Sequence, residues 1–293
     1  MDWGFIFRGS NMKFNQSHAI LFIPDEKPME EAITRSTHMC IAAHHDDIEI
    51  MAYDGIVQCY ESPSEWFFGV VVTNGSGSAR KGVYEKFTDI MMMDIRKQEQ
   101  IKAAEIGRYG ALAMLDYSSR DAKDSQNDTI ENDLMMLIQK AQPRILYTHN
   151  LADKHDTHIG VATKVIRALR KLDPKDRPHQ VLGCEVWRGL DWMLDQDKVV
   201  LDASHHPDLA SDLIKVFDSQ ISGGKRYDLA TLGRRFANAT YLTSHQVDQS
   251  NQVIYAMDLT PLILDDTLDI STFVISYIER FKNDVMSKIN KMI

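Results

Sequence analysis

Short apolar runs that end abruptly in polar residues alternate along this chain with stretches whose apolar residues recur at helical spacing. Met39-Cys40-Ile41-Ala42-Ala43 stops at His44-His45-Asp46-Asp47, and Trp66-Phe67-Phe68-Gly69-Val70-Val71-Val72-Thr73 stops at Asn74-Gly75-Ser76-Gly77-Ser78. Uninterrupted runs of this length, the second rich in β-branched and aromatic residues, predict strands covered on both faces. A weaker strand is expected near Ala111 to Leu115. Others are expected at Ile145-Leu146-Tyr147-Thr148, at Val181 to Trp187 and at Val199-Val200-Leu201. Helical spacing marks Ile48 to Tyr60, Met92 to Arg108, Asp133 to Ala141, Leu209 to Gln220 and Ile270 to Met292. After the polar loop His149 to Asp156, the residues Ile159, Ala162, Val165, Ile166 and Leu169 share one helix face. Asp116 to Asp133 reads as a loop running into a helix start. Alternating strand and helix predict a Rossmann-like α/β fold, a mostly parallel sheet with helices on both faces. No repeat, low-complexity tract or linker divides the chain. One domain over 1–293 is expected, with 1–36 as an N-terminal extension.

Composition narrows the picture by exclusion. At 293 residues, 44% hydrophobic and 26% charged, the chain is long enough to bury one large core. A formal net charge of −9 speaks against a nucleic-acid partner, which calls for a basic stripe. The three cysteines, Cys40, Cys59 and Cys184, are widely spaced with no CxxC pair, which argues against a disulfide framework or a thiolate metal site. No apolar stretch reaches the length of a membrane helix. The apolar patch Trp3 to Phe7 lacks the rest of a secretory signal, and Met12 is an alternative start. A cytoplasmic location is therefore expected.

In an open parallel sheet ligands bind beyond the carboxyl ends of strands, near the point where strand order reverses. Unusual polar residues sit at those predicted ends. His44 and Asp47, three apart on a tight turn, can reach one small cation, and Asp46 between them can face a bound water. The bland alternative is that Asp46 or Asp47 caps the helix beginning at Ile48. Asp153-Lys154-His155-Asp156-Thr157-His158 offers a second cluster, in which either histidine could be a ligand. Here too a helix cap with solvated histidines is the simpler reading. Both simple readings weaken when the two clusters fall at strand ends of one sheet.

With these residues in place the chain resembles the LmbE/PIG-L family of zinc-dependent N-acetylglucosaminyl deacetylases. That family's His-Pro-Asp-Asp signature after a strand is similar to Ala43-His44-His45-Asp46-Asp47-Ile48-Glu49. Its Arg-x-x-Glu helix is similar to Arg96-Lys97-Gln98-Glu99, continuing through Ala103-Ala104-Glu105-Ile106-Gly107, and its His-x-x-His helix start to His155-Asp156-Thr157-His158. Lys215 to Ser219-Gln220 echoes a later pattern, so the resemblance spans 39–220. It implies His44, Asp47 and His158 as ligands of Zn2+, with Fe2+ or another divalent ion as an alternative. It makes Asp46 the general base and protonated His155 the stabiliser of the oxyanion. His45 stands where proline is usual, and Asp156-Thr157 stands where Pro-Asp is usual, which removes a carboxylate that could orient a histidine.

The implied reaction removes an acetyl or other acyl group from the nitrogen of an N-acetylglucosamine-type sugar. Either Asp46 or His155 would protonate the leaving amine. Arg96 is the first choice for substrate binding, because a guanidinium fork holds hydroxyls, phosphate or carboxylate. The alternative is an Arg96–Glu99 pair on a solvated helix face. Asp116, Asn74, Arg80 and the Gly75 to Ser78 loop could line the pocket, and Tyr117 or Trp187 could stack on a sugar, although core is the expected place for Trp187. The Met91-Met92-Met93 run is expected in the core, and His149 has no assigned role. The competing functions are hydrolysis of a non-sugar N-acyl amide and a non-catalytic sugar-binding module. The helix from Ile270 leaves homo-oligomerisation open.

Overall fold

The computed structural model describes residues 6–7 and 12–293. In chain order these form β1 (Ile6–Phe7), β2 (Ile20–Phe22), α1 (Met29–Thr34), β3 (His38–Ala42), α2 (Asp47–Met51), α3 (Tyr53–Tyr60) and β4 (Phe67–Thr73). There follow α4 (Asp89–Ile106), β5 (Ala111–Tyr117), α5 (Ser119–Lys123), α6 (Thr129–Ala141), β6 (Ile145–His149), α7 (Asp156–Lys171) and β7 (Gln180–Cys184). The rest comprises β8 (Lys198–Asp202), α8 (Pro207–Lys215), α9 (Asp218–Ile221), α10 (Tyr227–Tyr241), β9 (Val253–Asp258), α11 (Pro261–Leu264) and α12 (Ile270–Asn290).

The strands make one sheet in the order β1-β2-β5-β4-β3-β6-β7-β9-β8. Its centre, β5-β4-β3-β6-β7, runs parallel, as a Rossmann-like α/β fold requires. The outer strands on both sides are antiparallel. All residues of β3 and β4 are buried. Met39, Ile41, Phe68, Val70 and Val72 join one apolar cluster, while Cys40, Ala42, Phe67 and Val71 join the other. Successive side chains point to opposite faces, and both faces are covered, so these strands read as continuous apolar runs.

Several expectations need correction. The Ile48 to Tyr60 segment is two helices broken at Ala52, Leu209 to Gln220 is likewise divided, and α5 sits inside the expected loop after Asp116. Of the expected 1–36 extension, 1–5 and 8–11 lie outside the described residues. Part of the remainder joins the fold: β1 and β2 extend the sheet, and Leu21, Ile23, Ala32 and Ile33 are buried. Beyond Gln220, β9 inserts between β7 and β8, and α10 packs against β9.

The chain lays β4 and β5 to one side of β3, then β6 and β7 to the other. Strand order therefore reverses between β3 and β6, and the crevice beyond their carboxyl ends is where such a sheet takes ligands.

Candidate metal centre and its cavity

The turn after β3 is held from three directions. The Ala43 N–H donates to His149 Nε2 at 2.8 Å, and the Ala43 carbonyl accepts from the N–H and hydroxyl of Thr73 at 2.9 and 2.8 Å. Asp46 adopts φ +89°, a left-handed conformation uncommon for a residue with a Cβ. Side chains of α4 stabilise it: Gln100 Oε1 accepts from the Asp46 N–H at 3.2 Å, and Arg96 donates to the His45 carbonyl. Gln100 in turn donates to Glu49 at 2.7 Å. Asp46 occupies the N-cap position of α2 but makes no side-chain capping hydrogen bond, and its carboxylate faces Arg96 instead. At α7 the N-cap, His155, likewise makes no side-chain capping hydrogen bond.

The three ligands expected from the sequence converge. His44 Nδ1 lies 3.1 Å from Asp47 Oδ2 and 3.1 Å from His158 Nε2, and His158 Nε2 lies 3.3 Å from Asp47 Oδ2. Ligand atoms about 2.0–2.2 Å from a tetrahedral zinc stand about 3.3–3.6 Å apart, close to this triangle. Two imidazole nitrogens facing each other at 3.1 Å share a proton or a cation between them. Electrostatics favour positive charge there. Burial opposes charging of His158, yet Asp47 and Asp153 outweigh it and raise that imidazole to about 9. Burial likewise pushes Asp47 up, but His158 and His149 hold it well below the usual carboxylate range. The donor set suits a divalent ion.

Two residues without an expected role complete the cluster. Asp153 Oδ2 faces His158 Nδ1 at 3.4 Å, which leaves Nε2 to point into the centre. It replaces the orienting carboxylate that Asp156-Thr157 seemed to remove. His149 stacks on His158 with ring centroids 3.8 Å apart, and its Nε2 is 3.5 Å from Asp47. That Nε2 accepts the Ala43 N–H, so His149 supports the turn instead of offering a lone pair. Its position at the end of β6, beside the switch point, was the available signal.

A cavity of about 390 Å³ opens over this centre. His44, Asp46 and Asp47 form its floor with Arg96 and His155, and Trp187, Gln220, Lys225 and Tyr227 contribute to its walls. Burial, with help from Asp47 and Glu99 and against the pull of Arg96, raises Asp46 to about 7. Arg96 is 2% exposed and stands 3.2 Å from Asp46 and 3.8 Å from Glu99, so the Arg96–Glu99 pair forms but is buried and not on a solvated face. Glu99 also accepts from the N–H and hydroxyl of Ser219, both at 2.6 Å. Half-buried His155 packs edge-on to His44 and stacks on His158. Burial and the neighbouring charges of His158 and His44 lower it to about 4, so a neutral imidazole replaces the protonated one expected.

Other expectations fail on position. Asp116 does not line the cavity, because its carboxylate is engaged by Lys97 at 2.7 Å. Asn74 and Arg80 turn to their own loop, accepting from the Ser76 N–H and donating to the Ser76 carbonyl. Tyr117 is core and donates to Asp133, whereas Trp187, expected in the core, is a half-buried wall of the cavity. In the methionine run only Met92 is buried, and Met91 is exposed.

Comparison with known proteins places this geometry. Residues 39–169 match the family described as PIG-L, GlcNAc-PI de-N-acetylase. No curated protein matches the chain. Among solved structures, N,N'-diacetylchitobiose deacetylase from Pyrococcus horikoshii superposes with a TM-score of 0.59 at 14% identity, covering 81% of this chain and 88% of that one. The 4-carboxy-2-hydroxymuconate hydratase from Pseudomonas putida gives 0.58 at 17% identity, covering 76% and 95%. The zinc-inhibited form of teicoplanin deacetylase gives 0.54 at 13%, covering 76% and 97%. At such identities the likeness speaks for the fold alone. The His44–Asp47 turn and the His155–His158 helix start both fall inside the segment, residues 39–169, that is similar to the PIG-L family.

Proposed function

We propose that this protein is a divalent-metal-dependent amide hydrolase that removes the acetyl group from an N-acetylated amino sugar. The observation that carries the proposal is the triangle of His44, Asp47 and His158 donors beneath a cavity floored by an unpaired-cap aspartate, Asp46. The family description and the deacetylases among the fold neighbours support the same reading. His44, Asp47 and His158 would hold the ion, zinc in the first instance with iron as an alternative. When bound, such an ion acidifies water and polarises the acyl carbonyl.

The chain's own groups do the rest. Asp46 is poised at about 7, where a carboxylate both accepts a proton from the attacking water and gives it up again to the departing amine. Arg96, 3.2 Å away, orients that carboxylate. His155 offers a hydrogen bond to the carbonyl oxygen as it gains charge. Trp187 and Tyr227, in edge-to-face contact at 6.2 Å, wall the space left for the sugar.

The test measures metal content and amine release separately, on N-acetylglucosamine and its glycosides, for the wild type and Asp46→Asn. The variant is expected to keep its metal while kcat falls by roughly 10²–10⁴-fold. Unchanged turnover would remove Asp46 from the base role, and a metal-free active enzyme would overturn the proposal. The hydratase neighbour names a rival chemistry, addition of water to a carbon–carbon double bond, which releases no amine.

A further inference from the structure

Helix α12 has two apolar faces, and the body of the protein covers one of them. Its first turns bury Phe273 and Val274 in the core. Arg280 then pairs with Asp197 at 2.8 Å, and Phe281 meets Trp192 with ring centroids 6.5 Å apart. Past these contacts every residue from Val285 to Ile293 is exposed. The ion pairs Lys282–Glu279 and Lys288–Asp284 lie on the helix itself.

The second apolar face runs through this exposed part. Ile278, Phe281, Val285, Ile289 and, just past the helix end, Met292 recur at intervals of three and four residues, and they are between 36% and 84% exposed. That spacing is the seam along which two helices pair. With Ile275 and Met286 at its border, the stripe exposes on the order of 700 Å² of apolar surface, against roughly 300–600 Å² for the largest patch on a typical monomer. Each partner in a standard interface contributes about 800 Å². The area is thus that of one side of an interface.

We propose that α12 is a dimerisation element, whose exposed stripe packs antiparallel against α12 of a second copy of this chain. The stripe is complementary to itself. In an antiparallel pair centred on Val285, Ile278 lies level with Met292 of the second copy, Phe281 lies level with its Ile289, and Val285 meets Val285. Each edge of such a seam faces the same edge of the other helix. One edge carries Asp284 and Lys288, so the four groups of the two copies alternate in sign along it. Opposed helix dipoles add to the fit, and the two bodies lie at opposite ends of the pair. A lipid surface suits the stripe less, because Glu279 and Asp284 interrupt its polar side and the chain has a formal net charge of −9. The proposal is independent of the function assigned to the cavity.

The experiment is sedimentation equilibrium of the full chain from about 1 to 100 μM, a range that covers weak interfaces of this size. A dimer is expected. Val285→Glu/Ile289→Glu, at two exposed positions, should sediment as a monomer throughout. Val285→Ala/Ile289→Ala, which favours the helix, should weaken association by about tenfold or more. Asp284→Lys and Lys288→Asp each make the edge uniform in charge and should each self-associate roughly tenfold less tightly. Mixed in equal amounts, these two should pair nearly as tightly as the wild type, a rescue that a charge pair acting only within one helix does not produce. A monomer over the whole range, an assembly other than a dimer, or a dimer that survives Val285→Glu/Ile289→Glu would overturn the proposal. A mixture no tighter than either single charge variant would overturn the antiparallel register. A monomer that floats with phosphatidylcholine–phosphatidylserine vesicles would assign the stripe to a lipid surface and overturn the proposal as well.

Discussion

The Asp153 carboxylate accepts hydrogen bonds from the backbone N–H groups of Lys154, His155 and Trp187 while its Oδ2 faces His158 Nδ1 at 3.4 Å. One side chain therefore holds the His158 ring, proposed as a ligand, together with the start of α7 and the wall that bears Trp187. Asp153→Ala is expected to weaken metal binding by about 10–100-fold, a usual cost of losing the carboxylate behind a ligating imidazole. Asp153→Asn, which retains an acceptor for the N–H groups, should lose less. Competition with a metal-sensitive dye reads both constants, and equal affinity in the wild type and the alanine variant would refute the role. The proposed ligands themselves stood out as His-x-x-Asp and His-x-x-His spacings. Asp153 was not, because its defining partner, the Trp187 N–H, lies 34 residues downstream.

Helix α10 shows the same contrast at the scale of an element. Its inward stripe is Thr231, Arg235, Asn238 and Ala239, mostly polar, whereas Leu229 and Phe236 are exposed, so the spacing of its apolar residues does not mark its buried face. Arg235 is fully buried and donates to the Glu49 and Ile50 carbonyls at 2.7 and 3.1 Å, at the carboxyl end of α2. Its guanidinium lies 4.8 Å from the Tyr53 ring, and burial lowers it to about 10, still charged at neutral pH. A cation there satisfies carbonyls that a helix end leaves unpaired and opposes the helix dipole. Arg235→Met strands two buried carbonyls, at about 1–3 kcal/mol each, and is partly offset by no longer burying a charge. A net loss of about 2 kcal/mol is expected in urea denaturation. A variant as stable as the wild type would mean that the buried charge is a burden and not a cap. Strands β3, β4 and β6, by contrast, were readable because both of their faces meet apolar neighbours, while the break at Ala52 between α2 and α3 left no mark in the apolar spacing.

Across the whole molecule the candidate centre joins two halves of the sheet. His44 and Asp47 follow β3, and His158 follows β6, on either side of the point where strand order reverses. A ligand that binds only the folded chain stabilises it by about 4 kcal/mol at a thousandfold excess over its Kd. Chelation should therefore lower Tm by about 10 °C, and zinc should restore it. The same Tm with chelator and with added metal would show that no ion bridges the halves. Local order along the chain was enough to determine the alternation of strand and helix, the strands covered on both faces, and the residue types able to bind a metal, since these depend on neighbours a few positions apart. Which carboxylate orients His158, that Asp116 turns to Lys97 and away from the cavity, and that Lys225 reaches the mouth were decided only when distant segments packed together. Such contacts depend on distances in space, which spacing along the chain does not encode.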